Sequence, residues 1–148
     1  MISVQTHDFD LAHEYEMLRD QHPAGAIVTF CGLVRDLDNQ EKISSIVLEH
    51  YPAMTNKTLQ DISDQAHQRW NIHQSRIIHR VGELKANDQI VFVGVSSAHR
   101  REAFAACEFI MDFLKTQAPF WKKQTSSSGS YWVEAKSKDQ DAAKRWKD

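Results

Sequence analysis

Apolar residues recur along this chain at two spacings, and the switch between them marks where strands give way to helices. The run Ile90 to Val95 is apolar almost without interruption, as in a strand buried on both faces. It is predicted to be the central strand. Beyond it, Phe104, Cys107, Ile110, Met111 and Leu114 recur every three or four residues, which predicts an amphipathic helix with those five along its buried stripe. Upstream, the pattern predicts a short strand at Ile2 to Thr6 and a helix from about Asp10 with Leu11, Tyr15 and Leu18 on one face. A second strand is expected at Gly25 to Val34. After it comes a polar loop, Asp36 to Lys42, which fits either a plain hairpin connection or a binding lip beside Arg35.

A strand at Ile43 to His50 and a helix at Pro52 to Trp70 follow, the helix with Pro in its first turn and Leu59, Ile62, Ala66 and Trp70 facing the core. Ser75 to Val81 reads as a strand, with Gly82 and a polar turn around Asn87 and Asp88 leading into the central strand. Near the C-terminus, Thr125 to Ser130 joins candidate strands at Phe120 to Gln124 and Tyr131 to Ala135. A last short helix at Asp139 to Lys147 packs Ala142, Ala143 and Trp146. Strands and helices mix without strict alternation. That order predicts an α+β domain, single over residues 1–148, a length that suits one core.

Charge narrows the function. The net charge is −2 with 26% charged residues, so there is no global basic field of the kind nucleic-acid binding requires, and any basic site is local. The first ten residues lack the basic and apolar regions of a signal peptide, and no apolar run reaches bilayer length, which predicts a cytoplasmic protein without membrane contact. The eight histidines show no H-x-H, HExxH or Cys-His spacing, and no Gly-rich phosphate loop occurs. Neither a metal nor any other cofactor is expected. Cys31 falls in a strand and Cys107 on a helix's apolar stripe, so both read as packing residues.

Candidate chemistry sits at the two ends of the helix after the central strand. His99, Arg100 and Arg101 crowd its first turn, where a cation opposes the macrodipole at a cost of about 0.3 to 1 kcal/mol when exposed, and a bound anion reverses the conflict. Screening by Glu102 and solvent is the competing reading. At the other end stands Lys115, followed by Pro119, Phe120, Trp121 and Lys122. A reversal at Pro119 can turn both lysines, with an aromatic wall, toward one pocket.

The blocks GAIVTFCGLVR (Gly25 to Arg35), LEHYPAMT (Leu48 to Thr55), IIHRVGEL (Ile77 to Leu84), IVFVGVSSAHR (Ile90 to Arg100), FIMDFLKTQAPFWKK (Phe109 to Lys123) and WVEAK (Trp132 to Lys136) lie in one order. Together they resemble the large, catalytic subunit family of molybdopterin synthase, and the likeness covers nearly the whole chain. The resemblance implies an α/β hammerhead fold with additional antiparallel strands. It also implies the conversion of precursor Z, a cyclic pyranopterin monophosphate, into molybdopterin by two sulfur transfers. The implied donor is a small ubiquitin-like partner ending in a Gly-Gly thiocarboxylate, and the implied assembly a homodimer of the large subunit within a heterotetramer. Residue by residue, it implies catalytic roles for Lys115 and Lys122, and a substrate pocket of Leu33, Val34, Arg35, His99, Arg100, Lys115, Lys122, Lys123 and Gln124. A lysine among other cations gives up its proton more readily, which suits Lys115 to proton exchange.

Three positions depart from the family pattern. Gln124 stands where glutamate is common, Leu33 where a basic residue is frequent, and Lys136 where arginine is frequent. Gln124 has no carboxylate and is given no proton-transfer role. The alternative reading is a non-catalytic module that holds nucleic acid or a phosphate ligand on the basic aromatic patch at Phe120 to Lys123.

Overall fold

The computed structural model describes residues 1–20, 23–38, 41–126, 129–133 and 137–146. In chain order the elements are β1 (Ile2–Gln5), α1 (Leu11–Asp20), β2 (Ala26–Leu33), β3 (Leu37–Asp38), β4 (Glu41–His50), α2 (Pro52–Arg69), β5 (Ile72–Arg80), β6 (Gly82–Lys85), β7 (Gln89–Ser97), α3 (Arg100–Gln117), β8 (Phe120–Ser126), β9 (Gly129–Val133) and α4 (Ser137–Lys144). The mixed α+β class expected from the pattern is what the chain adopts, in two sheets.

The first sheet has the order β1-β5-β7-β2, with β1 parallel to β5 and the other pairs antiparallel. The alternation along its inner strands sorts side chains to two cores. Ile77, Val91, Val93 and Val95 point to the face covered by α2 and α3, where they meet Leu59, Ile62, Ala66, Phe109 and Ile110. Ile78 and Phe92 point to the other face, against Phe9 and Leu18 of the α1 side. Gly94 belongs to that second face: a Cβ there would come within 2.5 Å of Leu18 Cδ1, so the close seat of α1 requires glycine.

The second sheet runs β3-β4-β8-β9, with β6 also paired to β4. It joins the first through a smaller core of Val34, Ile46, Leu48, Val81 and Leu84, against which Phe120 packs. Within the predicted loop, Leu37 and Asp38 of β3 pair antiparallel with Lys42 and Glu41 at the start of β4. β9 pairs antiparallel with β8, while Ala135 and Lys136 lie outside the described residues.

Two buried faces differ from expectation. On α1, Leu11 and Tyr15 are exposed, and the residues turned inward are Leu18 and Glu14. Asp10 caps the helix through Oδ1, which accepts from the Ala12 and His13 amides. Glu14 tolerates burial because Arg76 of β5 donates to its carboxylate at 2.7 Å. On α3, Phe104 is 61% exposed, and the inner stripe is Ala103, Ala106, Cys107, Phe109, Ile110 and Leu114. The two alanines let α3 lie close on the sheet, rotating the stripe away from Phe104. The expected turn around Asn87 forms, and before it lies β6, a strand that the pattern did not predict, with Leu84 fully buried.

α4 docks on α2 and α3 through Trp146, whose ring meets Trp70 and Phe109 and whose Nε1 donates to Asp112 at 2.6 Å. Among the described residues no helix is long and apolar enough to cross a membrane.

Candidate active site

Because α3 runs antiparallel to β7, its first turn sits where β7 ends and its last turn where β7 begins. The sequence-predicted site residues therefore fall into two groups. Arg100 and Lys115 are fifteen residues apart on one helix, which at 1.5 Å per residue separates them by about 22 Å.

At the first turn, His99 is the residue before α3, in extended backbone and without a side-chain cap bond. The joint is held tightly: the Gly25 amide donates to Ser97 O at 3.0 Å, and a Cβ on Gly25 would collide with the Ala98 carbonyl. His99, Arg100, Arg101 and Phe104 line an open concavity of about 500 Å³. Glu102 stands in the same turn, its Oε2 buried without a hydrogen-bond partner. Three cationic or titratable side chains thus surround a helix N-terminus, an arrangement that attracts an anion. Phe104 was assigned to the core by its spacing, and Arg101 was left out of the pocket; both line it.

At the far end, α3 stops at Ala118, which is extended before Pro119, and β8 turns back beside β4. Alternation along β8 divides the aromatic and basic residues. Phe120, Lys122 and Gln124 share the inner face, Gln124 being buried, whereas Trp121 and Lys123 point outward. Trp121 meets Tyr51 edge-on, and Lys123 lies 6.0 Å from the Trp132 ring centroid. Phe120 and Trp121 are therefore not two walls of one pocket, and Lys123 does not share a face with Lys122.

The inner face opens on a group that sequence reasoning did not single out. Phe120 stacks on His79 at 4.0 Å between centroids and 23° between planes, and His50 flanks the same ring at 6.2 Å. His79 is buried, and burial above all lowers its pKa to about 4, with the charges of Lys115 and His50 acting the same way and its bond to the Arg80 carbonyl opposing. Lys115 therefore lies within electrostatic reach of that ring. Leu33, Val34 and Arg35 arrive from β2 after a register shift at Gly32/Leu33. Val34 is locked by amide bonds to Asp88 and Asn87 and packed in the same core as Phe120, which leaves Arg35 and Leu33 exposed at the lysine end. So Leu33, Val34, Arg35, Lys115, Lys122 and Gln124 gather at one end of α3, and His99 and Arg100 at the other.

Neither thiol is poised as a nucleophile. Burial raises the Cys107 pKa to about 12, and burial followed by the charge of Asp8 raises that of Cys31.

Residues 4–117 match the family model described as MoaE protein. The chain is 53% identical over 145 residues to the molybdopterin synthase catalytic subunit of Vibrio cholerae, covering 98% of this chain and 97% of that one. The chain belongs to the MoaE family. Among solved structures, the MoaE protein of Burkholderia ambifaria superposes with a TM-score of 0.85 at 49% identity, covering 99% of this chain and 97% of its own. Molybdopterin synthase of Staphylococcus aureus gives 0.82 at 30% identity, over 89% and 96% of the two chains. The MoaE match thus takes in both ends of α3, with the cationic first turn and Lys115 inside the matched span.

Proposed function

We propose that this chain is the catalytic subunit of a molybdopterin synthase, a sulfurtransferase that converts precursor Z into molybdopterin. The observation that carries the reading is the likeness, 53% identical over 98% of the chain, to a catalytic subunit of that enzyme. The substrate brings a phosphate and gains negative charge as its ring opens, and the chain offers cations at both ends of α3. His99 and Arg100 hold the phosphate at the helix N-terminus. Lys115 and Lys122, with Arg35, bind the reacting part and exchange protons there.

One copy cannot bring these groups together, because the two ends lie about 22 Å apart along a rigid helix. The pocket is therefore completed by a second copy, whose His99 end meets the Lys115 end of the first. A symmetric dimer of this kind has two identical pockets. The sulfur comes from outside the chain, since both thiols are held protonated. The donor is a small ubiquitin-like subunit whose Gly-Gly thiocarboxylate tail enters beside Lys115 and Lys122, where glycine permits close backbone approach.

Against a nucleic-acid module stands the net charge of −2, which supplies no general basic field. The test is direct: purified chain, precursor Z and thiocarboxylated partner are mixed, and the dithiolene product is detected. Product with all three, and none without the partner or with a partner lacking its last two glycines, is expected. No product from the complete mixture overturns the reading.

A further inference from the structure

A second cavity, of about 240 Å³, opens where α1, the end of α2 and the start of β5 meet, and the chemistry outlined above makes no use of it. β1 accompanies β5 only from Ile77 to Arg80, so the residues just before Ile77 stand at the sheet's edge and line the cavity from both faces. Alternation sends Arg76 to the α1 side, beside Glu14, and Ser75 to the α2 side. There the Ser75 hydroxyl lies 2.7 Å from Ser63 Oγ and 3.0 Å from His67 Nε2. Met17 and Leu18 of α1 supply an apolar wall.

The charges around this cavity do not cancel. Glu14 occupies one edge of the Arg76 guanidinium, accepting from Nε at 2.7 Å and from Nη2 at 3.4 Å. The end formed by Nη1 and the second Nη2 hydrogen has no partner among the described residues, and its two parallel N–H groups form a fork matched to a carboxylate. Met1 lines the same cavity, its ammonium donating to the Ser75 carbonyl at 2.7 Å, and its charge and that of Arg76 oppose each other. Two cations therefore face the single carboxylate of Glu14. Asp64, which also acts on the ammonium, lies outside the lining.

We propose that this cavity is a binding site for a small organic carboxylate with a compact apolar body, the carboxylate on the open end of Arg76 and the body against Met17 and Leu18. Its volume falls below the range of about 300 to 1,000 Å³ usual for drug-sized ligands, which limits the occupant to a small acid. An inorganic anion leaves the apolar wall wet, and a neutral molecule leaves the surplus positive charge unmet. The site stands apart from sulfur transfer, and its test does not depend on that reaction.

Benzoate is the probe, with benzamide as its neutral counterpart and acetate as the anion without a body. Each is titrated into the full chain while the Met17 methyl and Arg76 Nε–H resonances are followed by NMR. Expected is saturable benzoate binding that moves both resonances, with benzamide and acetate at least about tenfold weaker. Arg76→Lys keeps a cation for Glu14 but lacks the fork, and Met17→Glu places a like charge at a position 39% exposed on α1. Each should weaken benzoate at least about tenfold, the first read at the Met17 methyl and the second at the Arg76 Nε–H. If Arg76→Lys does not fold, Met17→Glu decides. Arg100→Ala distinguishes this cavity from the cationic first turn of α3, and the Met17 shift should persist in that variant. Benzamide or acetate binding as tightly as benzoate, an unmoved Met17 methyl, or wild-type affinity in Met17→Glu overturns the proposal. Loss of the Met17 shift in Arg100→Ala overturns it as well.

Discussion

His79 makes a quantitative demand on stability that is separate from catalysis. Its pKa is about 4 in the folded protein against 6.5 ordinarily. Between those values the unfolded chain holds a proton that the folded one does not, so stability is complete above about pH 6.5 and is lost as pH falls toward 4. At 1.36 kcal/mol per unit, the loss attributable to this one ring is about 2 kcal/mol on going from pH 7 to pH 5, and about 3 kcal/mol by pH 4. Replacing His79 by phenylalanine keeps the ring on Phe120 and removes the titration. It also removes the bond to the Arg80 carbonyl, so at pH 7 the variant should be less stable by about 1 kcal/mol. Urea unfolding at pH 7 and pH 5 measures both quantities. The gap of about 1 kcal/mol at pH 7 should close and reverse by pH 5, a relative change of about 2 kcal/mol. His67, whose pKa burial and then the N-terminal ammonium also lower, titrates in both proteins and cancels in the difference. A gap that stays constant between the two pH values refutes the burial of a neutral imidazole at this position.

Other outcomes follow from the same geometry. Lys115→Ala should leave folding and partner binding near wild type, since an exposed lysine in the last turn adds at most about 1 kcal/mol, while turnover falls at least tenfold. Arg100→Ala should weaken precursor Z binding by about 1.5 to 3 kcal/mol by calorimetry, the range for a charge-assisted hydrogen bond. Its melting temperature should hold or rise, because the change relieves a cation facing a helix N-terminus. Cys31→Ser and Cys107→Ser, alone or together, should remain active with thiocarboxylated partner, and thiol reagents at pH 8 should leave Cys107 unlabelled until the chain unfolds.

The parts of the fold legible in the sequence were those decided by local periodicity. β7 and the inner stripe from Cys107 to Leu114 follow from spacing, because each is covered by a layer that asks only for apolar side chains. The α1 face was misread because Glu14 is stabilised by Arg76, a residue 62 positions away whose approach depends on the sheet. β6 went unpredicted because at four residues it is too short for its alternation to stand out.

The lysine end was partly legible for the same reason. Lys115 and Lys122 announce themselves at a helix terminus and after a proline, but the division of Phe120 from Trp121 and of Lys122 from Lys123 depends on the register of β8 against β4. His79 gave no local sign, because a histidine in an apolar strand reads as packing until Phe120 is placed on it. The separation of His99 and Arg100 from Lys115, by contrast, was implicit in the length of α3.

That separation makes the shared pocket the central claim, and subunit mixing tests it most directly. Lys115→Ala and Arg100→Ala proteins, each nearly inactive by itself, are unfolded together, refolded and assayed with precursor Z and thiocarboxylated partner. In a mixed dimer one pocket carries both lesions and the other carries neither, so random pairing should restore about a quarter of the wild-type sites. Regained activity near that level, absent when the two proteins are refolded separately and then combined, is the predicted result. Mixed dimers that form yet show no activity above the separate variants would contradict a pocket built from two copies.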